Sequence, residues 1–151
     1  MDPDAHVSAR KNRLSVLARC KAGRLRHLWN RLGLDPSYQT LRGPETGLVM
    51  LRGRVGGMGE PFNVGEATVT RASVRLDDGT VGHAMTLGRD GAKARLVALI
   101  DALCENYETA MLIEADLIAP IQKDLEVEDE TRRQQAAATR VDFFTMVRGE
   151  D

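Results

Sequence analysis

One segment of the chain, residues 67–87, constrains the fold more than any other because it predicts a β-hairpin. Two runs rich in β-branched residues, ATVTRASVRL and TVGHAMTL, lie on either side of a turn that contains Asp78-Gly79. This dipeptide favours a two-residue turn between antiparallel strands. With that turn, the strands pair Asp77 with Thr80, Leu76 with Val81, Val74 with His83, Ala72 with Met85 and Thr70 with Leu87.

The predicted register assigns each side chain of the hairpin to one face of the sheet. His83 falls on the apolar face beside Val74, where a hydrogen-bonded histidine at the edge of the core is the main interpretation and a catalytic base is the alternative. The opposite face carries Arg71, Ser73 and Arg75. That face is predicted to be either solvated or the place where an anion or a partner binds.

Apolar spacing predicts helices on both sides of the strands. Residues 8–33 contain two predicted helices, the first capped by Ser8 and the second ended by Gly33. Asp90 is a predicted cap for a helix whose buried side carries Leu96, Leu99, Ile100, Leu103 and Tyr107. Pro120 separates an ambiguous segment, 111–119, from a polar helix predicted at 121–138.

Extended segments account for the middle of the chain and for its end. Four of them are predicted within residues 38–88, at 38–42, 46–55, 66–76 and 81–87. A fifth is predicted as a terminal strand at 139–147. The order of helices and strands predicts a single α+β domain over residues 1–151, with a mostly antiparallel sheet and helices at both ends (8–33 and 90–138).

A glycine-rich stretch, GRVGGMGEPFNVGEATVTR at residues 53–71, holds five of the 14 glycines of the chain. Glycine allows positive φ and close approach of other groups, so the stretch suits either a phosphate cradle or a bend between strands. The sequence lacks the spacing of a Walker loop or of a dinucleotide fingerprint. The glycines that define this bend are Gly56, Gly57, Gly59 and Gly65.

Composition and charge limit the classes of function. No apolar run is long enough to cross a bilayer and the N-terminus lacks the pattern of a secretory signal, so a cytoplasmic protein is expected. Cys20 and Cys104 are far apart and form no metal-binding motif. Residues 6–34 carry eight basic residues and no acid, while residues 101–130 carry ten acids against Lys123. A solvated helix face is the main interpretation of the basic block, and nucleic acid or an acidic partner is the alternative.

Two separated segments resemble a known family. Residues 42–90 contain PETGL and GGxGxPFNxGExTxTR, and residues 138–150 contain RVDFFTMVRGE. In these motifs, and more loosely over nearly the whole chain, the sequence is similar to the G subunits, PhnG, of the bacterial carbon–phosphorus lyase system. The resemblance implies a role in phosphonate catabolism.

The resemblance also implies partners and a reaction. With subunits H, I, J and L, the family helps couple a phosphonate to C1 of the ribose of MgATP, which releases adenine. The resemblance further implies an accessory subunit, present in two copies in a hetero-oligomer, that is inactive alone, binds no cofactor or metal of its own and contributes no catalytic residue. MgATP is used by the complex, and a radical iron–sulfur subunit breaks the carbon–phosphorus bond afterwards.

Three interpretations of the surface remain open from the residues. The glycine stretch is expected to form a bulged crossover that presents backbone to a partner chain. Alternatively, Arg52, Arg54 or Arg71 holds the triphosphate of ATP, since arginine bonds phosphate through two parallel N–H groups. The third alternative is a nucleic-acid-binding module built on the basic N-terminal helices.

The adjacent Phe143 and Phe144 point to a further interface. Neighbouring residues of a strand face opposite sides, so both rings cannot enter the same core if the segment is extended. One of them is therefore expected to contact a partner subunit or a second copy, with cover by a helix of the same chain as the alternative.

Overall fold

A computed structural model describes residues 3–54 and 58–138 of the chain. In chain order its elements are α1 (Pro3–Arg19), α2 (Ala22–Leu32), β1 (Tyr38–Arg54), β2 (Pro61–Leu76), β3 (Val81–Leu87), α3 (Gly91–Leu103), α4 (Tyr107–Ile113) and α5 (Ala119–Ala138). The predicted α+β architecture is confirmed, with an antiparallel sheet and helices before and after it. The predicted terminal strand, 139–147, lies outside the described residues.

The N-terminal helix begins earlier than apolar spacing predicted. It starts at Pro3, so Ser8 lies inside α1 and the prediction that it caps the helix is wrong. Proline is favoured in the first helical turn because its φ is already helical and its missing N–H is not needed there. The predicted stop of the second helix at Gly33 is confirmed, since Gly33 follows α2 with a φ of 64°.

The sheet contains three strands in the order β1-β2-β3, where four extended segments had been predicted before α3. The segments 38–42 and 46–55 are parts of one strand, because β1 continues through Gly43-Pro44 with shifts of register on either side. Gly43 has a φ of 70°, and a Cβ at this position would lie 2.7 Å from the carbonyl oxygen of Arg71. Glycine is therefore required where β1 passes close to β2.

One face of the sheet packs against α3, and the core extends from this contact to the helices before and after the sheet. β3 approaches α3 at Gly82, where a Cβ would collide with the backbone of Ala98 and Ala102. The predicted cap of α3 is confirmed, since the carboxylate of Asp90 accepts a hydrogen bond from the backbone N–H of Lys93 at 2.9 Å. The largest fully buried apolar side chains are Leu17, Leu25, Val74, Val97, Ile100, Ile113, Leu117, Ile118 and Ile121.

The predicted buried side of the third helix was partly wrong. Ile100 and Leu99 are buried, and Leu96 and Leu103 are partly buried against the core, as expected. Tyr107 is exposed, because α3 ends at Leu103 and Tyr107 begins the next helix.

Pro120 lies inside a continuous helical segment and does not separate two elements. A π-helical turn, Glu114–Ile118, joins α4 to α5, and Pro120 is the second residue of α5. A proline ring clashes with the carbonyl group four residues earlier in a regular α-helix, which here belongs to Asp116 within the π turn. The wider π turn gives a physical reason why the helix continues past the proline.

Candidate functional site

The turn between β2 and β3 has three residues, where two had been predicted. The backbone N–H of Leu76 donates to the carbonyl oxygen of Thr80 at 2.8 Å, so these two residues close the loop. Gly79 has a φ of 91°, and Asp78 accepts a hydrogen bond from the N–H of Thr80. This bond lowers the pKa of the Asp78 carboxyl group. A three-residue loop with a left-handed glycine is the next commonest hairpin connection after the two-residue turns.

The longer turn shifts the register by one residue and corrects the prediction for His83. Ser73 pairs with His83 and Val74 pairs with Gly82. Because the side-chain period of a strand is two residues, a one-residue shift transfers His83 to the other face. His83 is exposed and shares a face with Arg71, Ser73 and Arg75, so the prediction that it lies on the apolar face is wrong.

This outer face of the sheet, which points away from α3, carries a connected set of polar side chains. Ser73 Oγ lies 2.8 Å from Nδ1 of His83. The guanidinium groups of Arg42 and Arg71 both reach Oε2 of Glu45 through Nε, at 3.1 Å and 3.4 Å. Arg75 donates to the side-chain oxygen of Gln39 at 2.7 Å. The contacts hold three arginines in place on an exposed surface.

Beyond this face, β1 and β2 extend as a two-stranded ribbon that we call the arm (residues 48–54 and 61–68). Met50 and Leu51 are adjacent in β1, so they point to opposite faces of the arm. Both are exposed, which shows that both faces of the arm are uncovered. Large apolar side chains of the arm have exposed fractions between 45% and 64%: Leu48, Met50, Leu51, Phe62 and Val64.

The prediction of a crossover in the glycine-rich stretch was wrong, because the strands on either side of it are direct neighbours in the sheet. β1 and β2 are adjacent and antiparallel, with a register shift between Leu51 and Arg52 that agrees with the expected bulge. Gly59 accepts a hydrogen bond from Arg54 at 3.2 Å. Gly65 has open space around its Cβ position. Gly56 and Gly57, like Phe143 and Phe144, lie outside the described residues.

The three arginines named as alternative contacts for a triphosphate lie in two different parts of the sheet. Arg52 and Arg54 lie near the tip of the arm, whereas Arg71 pairs with Glu45 on the outer face of the sheet. Seven strand positions separate Glu45 from Arg52, which corresponds to about 23 Å. Along the backbone, Arg71 is therefore separated from the other two arginines by most of the length of the arm.

The basic block of the N-terminal helices contacts the acidic segment near the end of the described chain. Arg13 pairs with Glu114, and the remaining pairs follow the same pattern: Arg10 with Asp101 and Glu105, Arg19 with Asp129, Lys21 with Glu128 and Arg24 with Asp124. Five of the eight basic residues of the block therefore face acids of the same chain. Both oxygens of Asp129 accept from Arg19, which lowers the pKa of that carboxyl group.

Asp101 connects three elements beneath the sheet. Its carboxylate is fully buried and accepts two hydrogen bonds from Arg10 of α1, at 2.9 Å and 2.7 Å. The same group accepts from the backbone N–H of His83 in β3 at 2.9 Å. The hydrogen bond to Asp101 raises the pKa of Arg10. The sequence offered no signal for this connection, because its members lie far apart along the chain.

Burial is the main cause of the pKa shifts of two cysteines and a lysine in the interior. It raises the pKa of the Cys104 thiol to about 12 and also raises the pKa of Cys20. Burial lowers the pKa of Lys93, whose ammonium group donates to the carbonyl oxygen of Ala18 at 2.7 Å. None of these groups lies on the outer face of the sheet. The side chains of that face that can bind a ligand are those of arginine, histidine and serine.

Among residues 3–54 and 58–138, no three histidine, cysteine or acidic side chains gather closely enough to hold a metal ion. The helices described in the same ranges include none with the length and apolarity needed to cross a membrane.

Comparison with known proteins shows the family to which the chain belongs and a relative with a similar sequence. A model of the family of phosphonate metabolism proteins PhnG matches residues 8–149, and the chain belongs to this family. A relative from Rhizobium meliloti (strain 1021) is 50% identical over 148 residues, which is 98% of this chain and 94% of the relative. That relative is the alpha-D-ribose 1-methylphosphonate 5-triphosphate synthase subunit PhnG.

Proposed function

We propose that this chain is a cytoplasmic accessory subunit of a carbon–phosphorus lyase core complex, present in two copies with partner subunits H, I, J and L. In the complex it helps couple a phosphonate to C1 of the ribose of MgATP, with release of adenine, and it is inactive alone. Membership in the PhnG family and the name of the Rhizobium meliloti relative, a synthase subunit, support this proposal.

The uncovered arm is the structural observation that carries the proposal. An isolated two-stranded ribbon is marginally stable in water, and large exposed apolar patches are typical of protein interfaces. Phe62 and Val64 are 47% and 61% exposed although both lie in a paired strand. A partner subunit that covers the arm removes this apolar surface from water.

The charge arrangement argues against the nucleic-acid alternative. Binding to a phosphate backbone depends on free lysine and arginine side chains that replace counterions. In this chain Arg10, Arg13, Arg19, Lys21 and Arg24 already face carboxylates. The basic block is therefore largely neutralised by the acidic segment and presents a weaker positive potential than its composition indicates.

A matched pair of valines tests the role of the arm. Val64 of the arm and Val127 of α5 have nearly equal exposed fractions, 61% and 60%. In co-expression with the candidate partner subunits, Val64→Ser is expected to weaken assembly about tenfold, because burial of a valine side chain contributes about 1.5 kcal/mol or more. Val127→Ser is the control and is expected to assemble like the unchanged chain.

Native mass measurement of the co-purified complex shows how much of each variant has assembled with the partner subunits. Each variant is first compared with the unchanged chain by circular dichroism and thermal melting, so that loss of fold is separated from loss of assembly. Equal assembly of the Val64→Ser and Val127→Ser variants would show that the arm is not the contact. Failure of the unchanged chain to associate with any candidate partner would contradict the proposed function itself.

A further inference from the structure

Ser73 lies at the centre of a cross of basic side chains on the outer face of the sheet. Arg71 and Arg75 are its neighbours on the same face of β2, about 6.7 Å away in each direction along the strand. Arg42 is its partner in β1 and His83 is its partner in β3. Three arginines and a histidine therefore surround one hydroxyl group.

The side chains of this cross are exposed and remain able to bind a ligand. Arg42 and Arg71 are 53% and 51% exposed, and each uses Nε to reach Glu45. Their terminal Nη groups are separate donors, because a guanidinium group carries five N–H bonds. Arg75 uses one Nη group for Gln39. Glu45 and Gln39 thus orient the arginines and leave them further hydrogen bonds to donate.

The charge of the cluster matches a dianion. The set contains three arginines and one carboxylate, that of Glu45, which pairs with Arg42 and Arg71, while Arg75 bonds the neutral side chain of Gln39, so these groups carry a formal net charge of +2. When the Ser73 hydroxyl donates to Nδ1 of His83, the ring proton is on Nε2, which is then a further donor. A carboxylate has two oxygens to accept these hydrogen bonds, whereas a phosphoryl or phosphonyl group has three.

We propose that the outer face binds a tetrahedral phosphorus oxyanion above Ser73, held by Arg42, Arg71 and Arg75. Arginine forms paired, charge-assisted hydrogen bonds to such groups, and the register of three strands brings these arginines around one position. The site differs from the trio Arg52, Arg54 and Arg71, which the structure separates. It goes beyond the proposed assembly role, because it gives this chain a ligand of its own.

Binding to the isolated full chain tests the site without any partner subunit. Inorganic phosphate, methylphosphonate and tripolyphosphate are titrated separately in phosphate-free buffer and followed by calorimetry and by ³¹P NMR. At least one is expected to bind with a Kd of about 1 mM or tighter. Tightest binding of tripolyphosphate indicates that the source is a polyphosphate chain, and tightest binding of methylphosphonate indicates a phosphonate.

Two double variants that remove the same number of positive charges distinguish binding at the proposed site from nonspecific electrostatic attraction of anions to the chain. Arg71→Gln with Arg75→Gln is expected to weaken binding by at least about tenfold, since two charge-assisted donors are lost. The control is Arg26→Gln with Arg31→Gln, both on exposed positions of α2, and is expected to bind as the unchanged chain does. Should the first double variant fail to fold, Arg75→Gln alone is compared with Arg26→Gln alone, and only the first is expected to weaken binding.

The proposal is overturned by either of two results. They are absence of binding for all three anions and equal weakening in both double variants. Since these measurements need no partner, they leave the proposed assembly role untouched. Conversely, loss of assembly in the arm variant leaves the anion site unaffected.

Discussion

Replacement of Asp101 by asparagine tests how much the buried carboxylate contributes to stability. The change exchanges one carboxylate oxygen for an NH₂ group. The buried carboxylate of Asp101 accepts two hydrogen bonds from Arg10 and one from the backbone N–H of His83. Asparagine has nearly the same shape, but it removes the negative charge and places an NH₂ donor where the carboxylate accepted. Arg10 then loses its nearer charge partner and keeps only Glu105, at 3.9 Å, and at least one donor in the cluster loses its acceptor.

The expected loss in the free energy of unfolding is about 3 kcal/mol. Removal of one member of a buried ion pair costs about 3 to 5 kcal/mol. The lower end applies because Arg10 is 33% exposed and can recover part of its hydration, whereas Asp101 is fully buried. For a domain whose total stability is about 5 to 15 kcal/mol, this is a large fraction.

Urea unfolding followed by circular dichroism measures this loss against a matched control. Asp129→Asn makes the same chemical change at an ion pair on the surface, where Asp129 accepts from Arg19. Exposed pairs contribute little to stability, so the control is expected to unfold at nearly the same urea concentration as the unchanged chain. If Asp101→Asn shifted the midpoint no more than Asp129→Asn does, the reasoning from burial would be refuted.

Two further predictions follow from burial and from steric space. The thiols of Cys20 and Cys104 are expected to react with iodoacetamide far more slowly in the folded chain than in urea at pH 8. A raised pKa leaves less thiolate, and burial limits access of the reagent. Mass spectrometry of alkylated peptides measures the labelling rate, and rapid labelling of Cys104 in the folded chain would contradict the prediction. Gly82→Ala is expected to destabilise the chain by about 1 to 3 kcal/mol in thermal melting, because the new methyl group meets the backbone of α3. Gly65→Ala, where the Cβ position is open, is its control, and an equal effect of the two changes would disprove the close approach of β3 to α3.

The amino-acid sequence by itself determined the fold class, several boundaries and the family. The α+β order, the cap at Asp90, the stop at Gly33 and the extent of β3 all follow from local signals: periodicity, capping residues and turn residues. These features depend on neighbours in the chain, so they can be inferred from short windows. The family resemblance likewise rested on motifs read directly in the sequence, and the comparison of residues 8–149 confirmed it.

Only the tertiary structure decided which face of the sheet carries His83. Both a two-residue and a three-residue turn fit Asp77-Asp78-Gly79, and the choice between them moves every side chain of β3 to the other face. The observed turn places His83 beside Ser73 and so creates the cross of basic groups. A small difference in turn geometry therefore moves His83 from the predicted apolar face to the exposed face on which we propose an anion site.

The tertiary structure also decided what the charged segments do and which apolar residues stay uncovered. Arg10 and Asp101 are 91 positions apart, and local composition cannot show that α1 and α3 bring them together. Residues 48–51 of the arm form a continuous apolar run of the kind found in buried strands, yet they lie beyond the helices that cover one face of the sheet. Burial depends on the elements that meet in space, and for the arm the proposed partner subunit supplies the cover that this chain does not.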